Sequence, residues 1–361
     1  MKSKKDAKNA VMGIAKEYGF IEKDIMDRME PDVRLAVEES MRAKDKKAAH
    51  AIKTLAKHIY ASDARFVFEL LQNADDNRFT LANTQGESPF ISFEVYPDRI
   101  VVECNEDGFT ARDLSAICTV GESTKSASHG YIGAKGIGFK SVFIAAWKVH
   151  IQSGHFSFFF QHKKGDLGLG MVLPVWEDTI DVLPDALTRM TLYLHEEGDP
   201  QEIKYLRDTV FKQLNDLQQT SLLFLRKLKE IRVFFYDNDG GLQSSKEFRV
   251  GGAHNSRYSL ETEVTDEDGQ TAVERKNYHV TRQIATDLPK SNNRDLPDTE
   301  EATQACSRAE VVLAFPLTKL NKPLLEQQEV FAFLPIRESS FKVSIAIRRL
   351  TYEFTDLSHS S

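Results

Sequence analysis

The chain has 361 residues and a formal charge of −7, from 47 Lys plus Arg against 54 Asp plus Glu, a length that predicts about two domains of roughly 100 to 200 residues each. Hydrophobic residues make up 41% and charged residues 28%, with 19 Gly and 11 Pro, which excludes a collagen-like, disulfide-stapled or wholly disordered chain. Nothing in the overall charge points to a nucleic-acid or anionic-membrane surface, although a local basic patch is compatible with it. Cys104, Cys118 and Cys306 form neither a C-x-x-C pair nor a zinc spacing, so a reducing compartment is expected. The N-terminus, MKSKKDAKNAVMG, lacks the apolar core of a secretory signal. No run approaches the roughly 18 to 20 apolar residues of a membrane span. The expected location is cytoplasmic or nuclear.

In chain order, residues 1–45 read as a helical N-terminal segment. From Asp32 to Asn77 the chain has no proline or glycine and carries apolar residues at helical spacing, predicting two or more helices. Within it, Ser62 and Asp63 are candidate caps for ARFVFELLQNADDN, where Phe66, Leu70 and Ala74 recur every four residues. FISFEVYPDRIVVEC (90–104) predicts a hairpin turning at Pro97-Asp98. A short helix is predicted from Thr110, then a polar loop from Glu122 to Gly130, and a helix again over FKSVFIAAW. Strands are predicted over 147–160, 187–194 and Ile231–Tyr236, with a long helix or helix pair over Gln201–Lys229. Helices first and a mostly antiparallel sheet after them predict an α+β architecture. The block Asp237–Ala253 reads as polar and turn-rich, and residues 254–305 as an acidic, irregular and partly disordered stretch. EVVLAFPL, EVFAFLPI and FKVSIAI then mark a second strand-rich α/β module within 241–361.

Two segments carry the chemistry. In FELLQNADDN, Glu69 and Asn73 are i and i+4 on one helix face, with Asp76 at i+7. A carboxylate there can orient and deprotonate a water, while an asparagine oxygen is a hard, neutral ligand that Mg²⁺ accepts beside phosphate oxygens. The plain alternative is a solvated face of an amphipathic helix. In GYIGAKGIGFKS, Gly133, Gly136 and Gly138 allow close backbone approach to a polyphosphate, with Lys135 and Lys140 as point charges. The plain alternative is a glycine-rich turn before a packed helix. A Walker A loop is excluded because Phe139 separates Gly138 from Lys140, and a dinucleotide fingerprint because Ser141 stands where its third glycine would be. No H-x-x-x-H pair on a predicted helix and no G-x-S-x-G elbow supports a metalloprotease or serine hydrolase.

The strings SDARFVFELLQNADDN, ECNEDGFTARDLSAICTVGESTK, IGAKGIGFKSVF and SLLFLRKLKEI, in this order, resemble the GHKL ATPase superfamily of gyrase, heat-shock chaperone, histidine kinase and MutL. Within it they are most similar to the sacsin and NO VEIN-like group, over roughly His50 to Tyr236. The resemblance implies a Bergerat two-layer α/β sandwich spanning residues 46–240, binding ATP with Mg²⁺. By position, Glu69 matches the general base and Asn73 the Mg²⁺-binding asparagine. The superfamily's D-x-G-x-G motif, whose aspartate receives the adenine amino group, is altered to Asn105-Glu106-Asp107-Gly108. Asn105 takes the aspartate's place if the turn is one residue shorter, with Asp107 as the alternative. Gly121 to Gly133 resembles the ATP lid, offering Ser123, Thr124 and Lys125 to phosphates. Gly133, Lys135, Gly136, Ile137, Gly138 and Phe139 span the second glycine motif, Lys140 resembles a lysine aimed at the terminal phosphate, and Thr188 is in register with the threonine beneath the adenine.

The function implied is slow ATP hydrolysis coupled to lid closure and conformational change in a chaperone-like or regulatory protein. The alternative is a non-hydrolysing switch, in which ATP drives homodimerisation or association with a protein partner. A histidine kinase would need a phosphoacceptor H-E/D signature, which neither His50 nor His58 begins. Members of this group usually continue for many hundreds of residues, so the second module reads as incomplete.

Overall fold

The hairpin expected around Pro97-Asp98 is the centre of the first unit. Strand β1 (Phe90–Val95) and strand β2 (Arg99–Cys104) pair antiparallel, closed by a hydrogen bond from the Tyr96 amide to the Arg99 carbonyl at 2.9 Å. On β2 the alternation is strict: Ile100, Val102 and Cys104 are buried and the residues between them are not, as a sheet covered on one face requires. The structure, a computed structural model, describes residues 3–43, 66–119, 138–163, 166, 168–179, 183–254, 256–286, 309–324, 329–331, 335–338 and 344–349.

The chain divides into two units, the first comprising Met1–Glu122, Lys135–Arg249 and Glu261–Glu274. Its N-terminal helix α1 (Lys4–Glu17) is capped by Ser3 and buries Ala7, Val11 and Ala15. After the short α2 (Lys23–Met26) and helical residues 31–43 (α3) comes α4 (Phe66–Asp76), which buries Phe66, Val67, Leu70, Leu71, Ala74 and Asp75. Helix α5 (Thr80–Gln85) precedes the hairpin and α6 (Ala111–Cys118) follows it. Helix α6 opens with a capping box in which Thr110 and Asp113 satisfy each other's backbone amides.

The helix predicted over FKSVFIAAW is instead a 3-10 helix, Gly138–Ile144, and Ala146 already begins strand β3 (Ala146–Ser153). Val149 and Ile151 bury one face of β3 and His150 and Gln152 lie on the other, a period of two that no continued helix could satisfy. The sheet continues with β4 (Phe156–Gln161), β5 (Val175–Trp176) and β6 (Thr188–Leu194). Helix α7 (Pro200–Asn215), capped by Asp199 with Pro200 at its first position, leads to β7 (Glu230–Tyr236). Strand β8 (Leu242–His254) pairs antiparallel with β7, giving the order β8-β7-β1-β2-β6-β3-β4-β5. Among these strands the only parallel pair is β1 with β7. The result is a mixed α/β unit on a mostly antiparallel sheet. Phe93, Phe156, Phe158 and Phe160 are among its fully buried side chains, each worth about 1.5–3 kcal/mol of transfer free energy.

Two expectations are corrected. The block read as turns from Asp237 is a strand from Leu242 onward, and the stretch read as irregular holds β9 (Arg257–Thr265) and β10 (Thr271–Ala285). Strand β10 is largely exposed and β9 is half-buried with only Leu260 fully covered, so neither carries the apolar alternation that reveals a strand in sequence. Their turn is held by Asp266, whose carboxylate accepts from the amides of Asp268 and Gln270, with Gly269 at φ +75°.

The second unit comprises Ser123–Ala134, Val250–Leu260 and Arg275–Ser361. Its strand β11 (Ala309–Leu317) pairs antiparallel with β10 and with β14 (Ser344–Arg349). Strand β12 (Glu329–Phe331) runs parallel to β14 and antiparallel to β13 (Pro335–Glu338). The described residues of this unit contain no helix.

Candidate functional site

Helix α4 and the 3-10 helix at Gly138 bring together the two segments singled out in the sequence. A Cβ added at Gly138 would overlap the Glu69 carboxylate oxygen and lie 3.2 Å from its carboxyl carbon. The carboxylate therefore rests directly on the Gly138 backbone, and a side chain at that position would displace it. Asn73, one turn further along α4, is exposed. Ser123, Thr124, Lys125, Gly133, Lys135, Gly136 and Ile137 lie outside the described residues.

Phe139 and Lys140 follow inside the fold. Phe139 is buried and meets Phe160 edge to face at 6.0 Å. Lys140 is buried; its ammonium donates to the carbonyls of Ile117 and Met171 and lies 4.9 Å from the Phe160 ring centroid. Desolvation pulls its pKa down to about 7. In this arrangement the lysine ties the end of α6 to the turn at Met171.

The turn after β2 distributes its polar side chains differently from the sequence expectation. Asn105 is buried, its Oδ1 accepting from the Phe90 amide at 2.7 Å and its Nδ2 donating to the Ser88 carbonyl at 2.9 Å. Asp107 accepts from the Leu81 amide at 2.9 Å and its own amide donates to the Arg78 carbonyl. Both side chains fasten the turn to the start of β1 and to α5. Between them stands Glu106, 5% exposed, hydrogen-bonded to the side chains of Thr188 and Asn77. Burial, reinforced by the nearby charges of Asp113 and Asp107, pushes its pKa up to about 7. Sequence reading passed over Glu106 by shortening the turn. Read without a gap, Glu106 lies two residues before Gly108, the aspartate's spacing in D-x-G.

Thr188 opens β6 between Cys104 of β2 and Ser153 of β3. Its hydroxyl is 2.6 Å from Ser153 Oγ, which accepts from the Phe109 amide at 2.8 Å. Gly108 makes this possible, with φ +85° and a position where a Cβ would stand 3.3 Å from Ser153 Oγ.

A further device was invisible in the sequence. Asp75, 1% exposed, accepts four hydrogen bonds of 2.8–3.0 Å from the amides of Arg226, Lys227 and Leu228. Lys227 in turn donates to the carbonyls of Asp76 and Asn77 at 3.0 and 2.6 Å. These bonds fix the end of α4, and hence the height at which Glu69 and Asn73 stand.

Residues 45–155, which span Glu69, Glu106 and Ser153, match the sacsin domain. Over 309 residues, 82% of this chain, the sequence is 31% identical to Protein NO VEIN of Arabidopsis thaliana. In sequence the chain is thus similar to sacsin over residues 45–155 and to Protein NO VEIN over most of its length. It spans about a tenth of the length of that curated relative. A crystal structure titled as the N-terminal domain of a DNA repair protein aligns over 82% of this chain and 87% of its own, at a TM-score of 0.42 and 10% identity. A likeness at that level says nothing about function. No helix among the described residues is long and apolar enough to cross a membrane.

Proposed function

We propose that this sacsin- and NO VEIN-like chain binds Mg-ATP in a Bergerat-type domain and hydrolyses it slowly, coupling the nucleotide to conformational change in a chaperone-like or regulatory protein. The observation that carries the reading is the seat of the Glu69 carboxylate on Gly138. It joins the candidate general-base helix to a glycine segment 69 residues away in sequence, at a position where a Cβ would displace the carboxylate.

In this reading Glu69 orients a water toward the terminal phosphate and takes its proton. Asn73 offers an exposed, neutral amide oxygen of the kind Mg²⁺ accepts while keeping phosphate and water ligands. Mg²⁺, when bound, neutralises phosphate charge. Backbone amides of the glycine segment contact the phosphates, and Glu106 with Thr188 receives the adenine. Lys140 has a positioning part, because its ammonium serves two backbone carbonyls.

Phosphate release by the purified chain tests the assignment. Glu69→Ala is expected to lower turnover about 10² to 10⁴-fold while Mg-ATP still binds, and Asn73→Ala to abolish Mg-ATP binding. Asn73→Ala protein that binds Mg-ATP as tightly as the parent contradicts the site. Parent turnover no greater than that of Glu69→Ala favours the non-hydrolysing switch.

A further inference from the structure

A groove of about 820 Å³ opens beyond the end of α4, between the segment that joins α4 to β1 and the two lysines flanking Leu228. All of its lining lies in the first unit, and none of the residues assigned above to the nucleotide belongs to it. Three cations face the groove, Arg78, Lys227 and Lys229, against one carboxylate, Glu87. Among the described residues none of the three cations is ion-paired with an acid, whereas Arg99, Arg189, Arg232 and Arg249 of the same unit each are. Lys227 is also held in place, because its ammonium donates to the carbonyls of Asp76 and Asn77. A locally positive groove therefore stands on a chain whose formal charge is −7.

Its walls are fixed by buried or paired polar groups. Asp75 binds the amides of the Arg226–Leu228 turn, and the Lys229 amide donates to the Pro89 carbonyl at 2.8 Å. Asn105 binds the Ser88 carbonyl and the Phe90 amide, and Asp107 binds the Leu81 amide and the Arg78 carbonyl. A groove held in this way loses little conformational freedom when a ligand enters.

The rest of the lining narrows the ligand class. Phe79 and Pro89 are buried and offer apolar contact, while Thr80, Asn83 and Ser88 are exposed and offer hydroxyl and amide groups that suit a peptide main chain. The volume falls in the range of roughly 300–1,000 Å³ typical of sites that enclose a whole ligand, so a single phosphate ion would leave most of it to water. Entry into a membrane needs a broad apolar face, but Leu81 is the only large apolar side chain exposed over residues 78–89. A polynucleotide would meet three cations on a chain of net negative charge, too few to hold a polyanion against that repulsion.

We propose that this groove binds an acidic peptide segment of a partner protein, with its carboxylates on Arg78, Lys227 and Lys229 and an apolar side chain against Phe79 and Pro89. Charge-assisted hydrogen bonds to carboxylates supply the selectivity. The site does not depend on the nucleotide reading.

The test is fluorescence anisotropy of a fluorescein-labelled peptide, Glu-Glu-Leu-Glu-Glu-Leu, with the purified full chain and no nucleotide. At about 50 mM salt, where charges are weakly screened, saturable binding is expected. Arg78→Glu combined with Lys229→Glu should weaken it about tenfold or more. Lys5→Glu combined with Lys204→Glu makes the same change in net charge on exposed residues of α1 and α7, and should leave the affinity within about twofold. The labelled peptide with Gln in place of every Glu should not bind the parent, a comparison that requires no variant to fold. Equal losses in the two double variants, or equal binding of the Gln peptide, overturn the inference. So does a parent chain that fails to bind the acidic peptide, including one that binds only phosphatidylserine vesicles or only inorganic phosphate.

Discussion

Asp75 and Glu106 are both buried carboxyl groups of the first unit, yet one is held by backbone amides and the other by side chains. Asp75 accepts from three backbone amides of a single turn, that of Arg226 shared between its two oxygens, so that both oxygens are held by the backbone. Among the described residues Glu106 is bonded by the side chains of Thr188 and Asn77 rather than by backbone amides, and burial, with Asp113 and Asp107 nearby, raises its pKa. The contrast separates a carboxylate that builds the site from one that the proposed function gives to a ligand. A buried carboxyl group with a raised pKa is costly to ionise, and such shifts concentrate at functional sites.

Four substitutions bear on this comparison, from the largest expected effect to the smallest. Asp75→Ala leaves the amides of Arg226, Lys227 and Leu228 without their acceptor, and chemical denaturation should show a loss of about 4 kcal/mol. A loss under about 1 kcal/mol would break the distinction. Glu106→Gln should act in the opposite direction. Folding raises the Glu106 pKa from 4.5 to about 7, so its contribution to stability is full below pH 4.5 and is lost as pH rises through 7. The variant should match the parent in acid and exceed it by on the order of 3 kcal/mol above about pH 8. Denaturation curves at the two pH extremes would reveal the crossover.

Lys140→Met keeps the packing beside Phe139 and Phe160 but strands the carbonyls of Ile117 and Met171. The expected cost is about 2 kcal/mol, because the loss of two acceptor partners is offset by removal of a buried ammonium. Thr110→Ala removes one half of the α6 capping box and should cost about 1 kcal/mol. Its effect should be confined to stability, with nucleotide affinity unchanged.

The parts of the fold legible in sequence were those set by local rules. The hairpin turned at Pro97-Asp98, α6 began at its Thr110 cap, and the spacing of Phe66, Leu70 and Ala74 marked the buried stripe of α4. What escaped notice depends on distant partners. Asp75 resembled a surface residue because its acceptors' partners lie about 150 residues on, in RKL (226–228). Strands β9 and β10 escaped because β10 is mostly exposed and β9 only half-buried, so neither carries an apolar period. Glu69 and Gly138 were each identified, but nothing in the sequence showed that they touch. Glu106 was missed although the spacing to Gly108 marked it, since a neighbouring asparagine offered the same acceptor chemistry.

Titration of the purified chain with ATP in the presence of Mg²⁺, followed by calorimetry, tests the central claim most directly. The account predicts saturable binding at one site per chain, lost in Asn73→Ala and retained in Glu69→Ala. No saturable binding by the folded parent chain would contradict it.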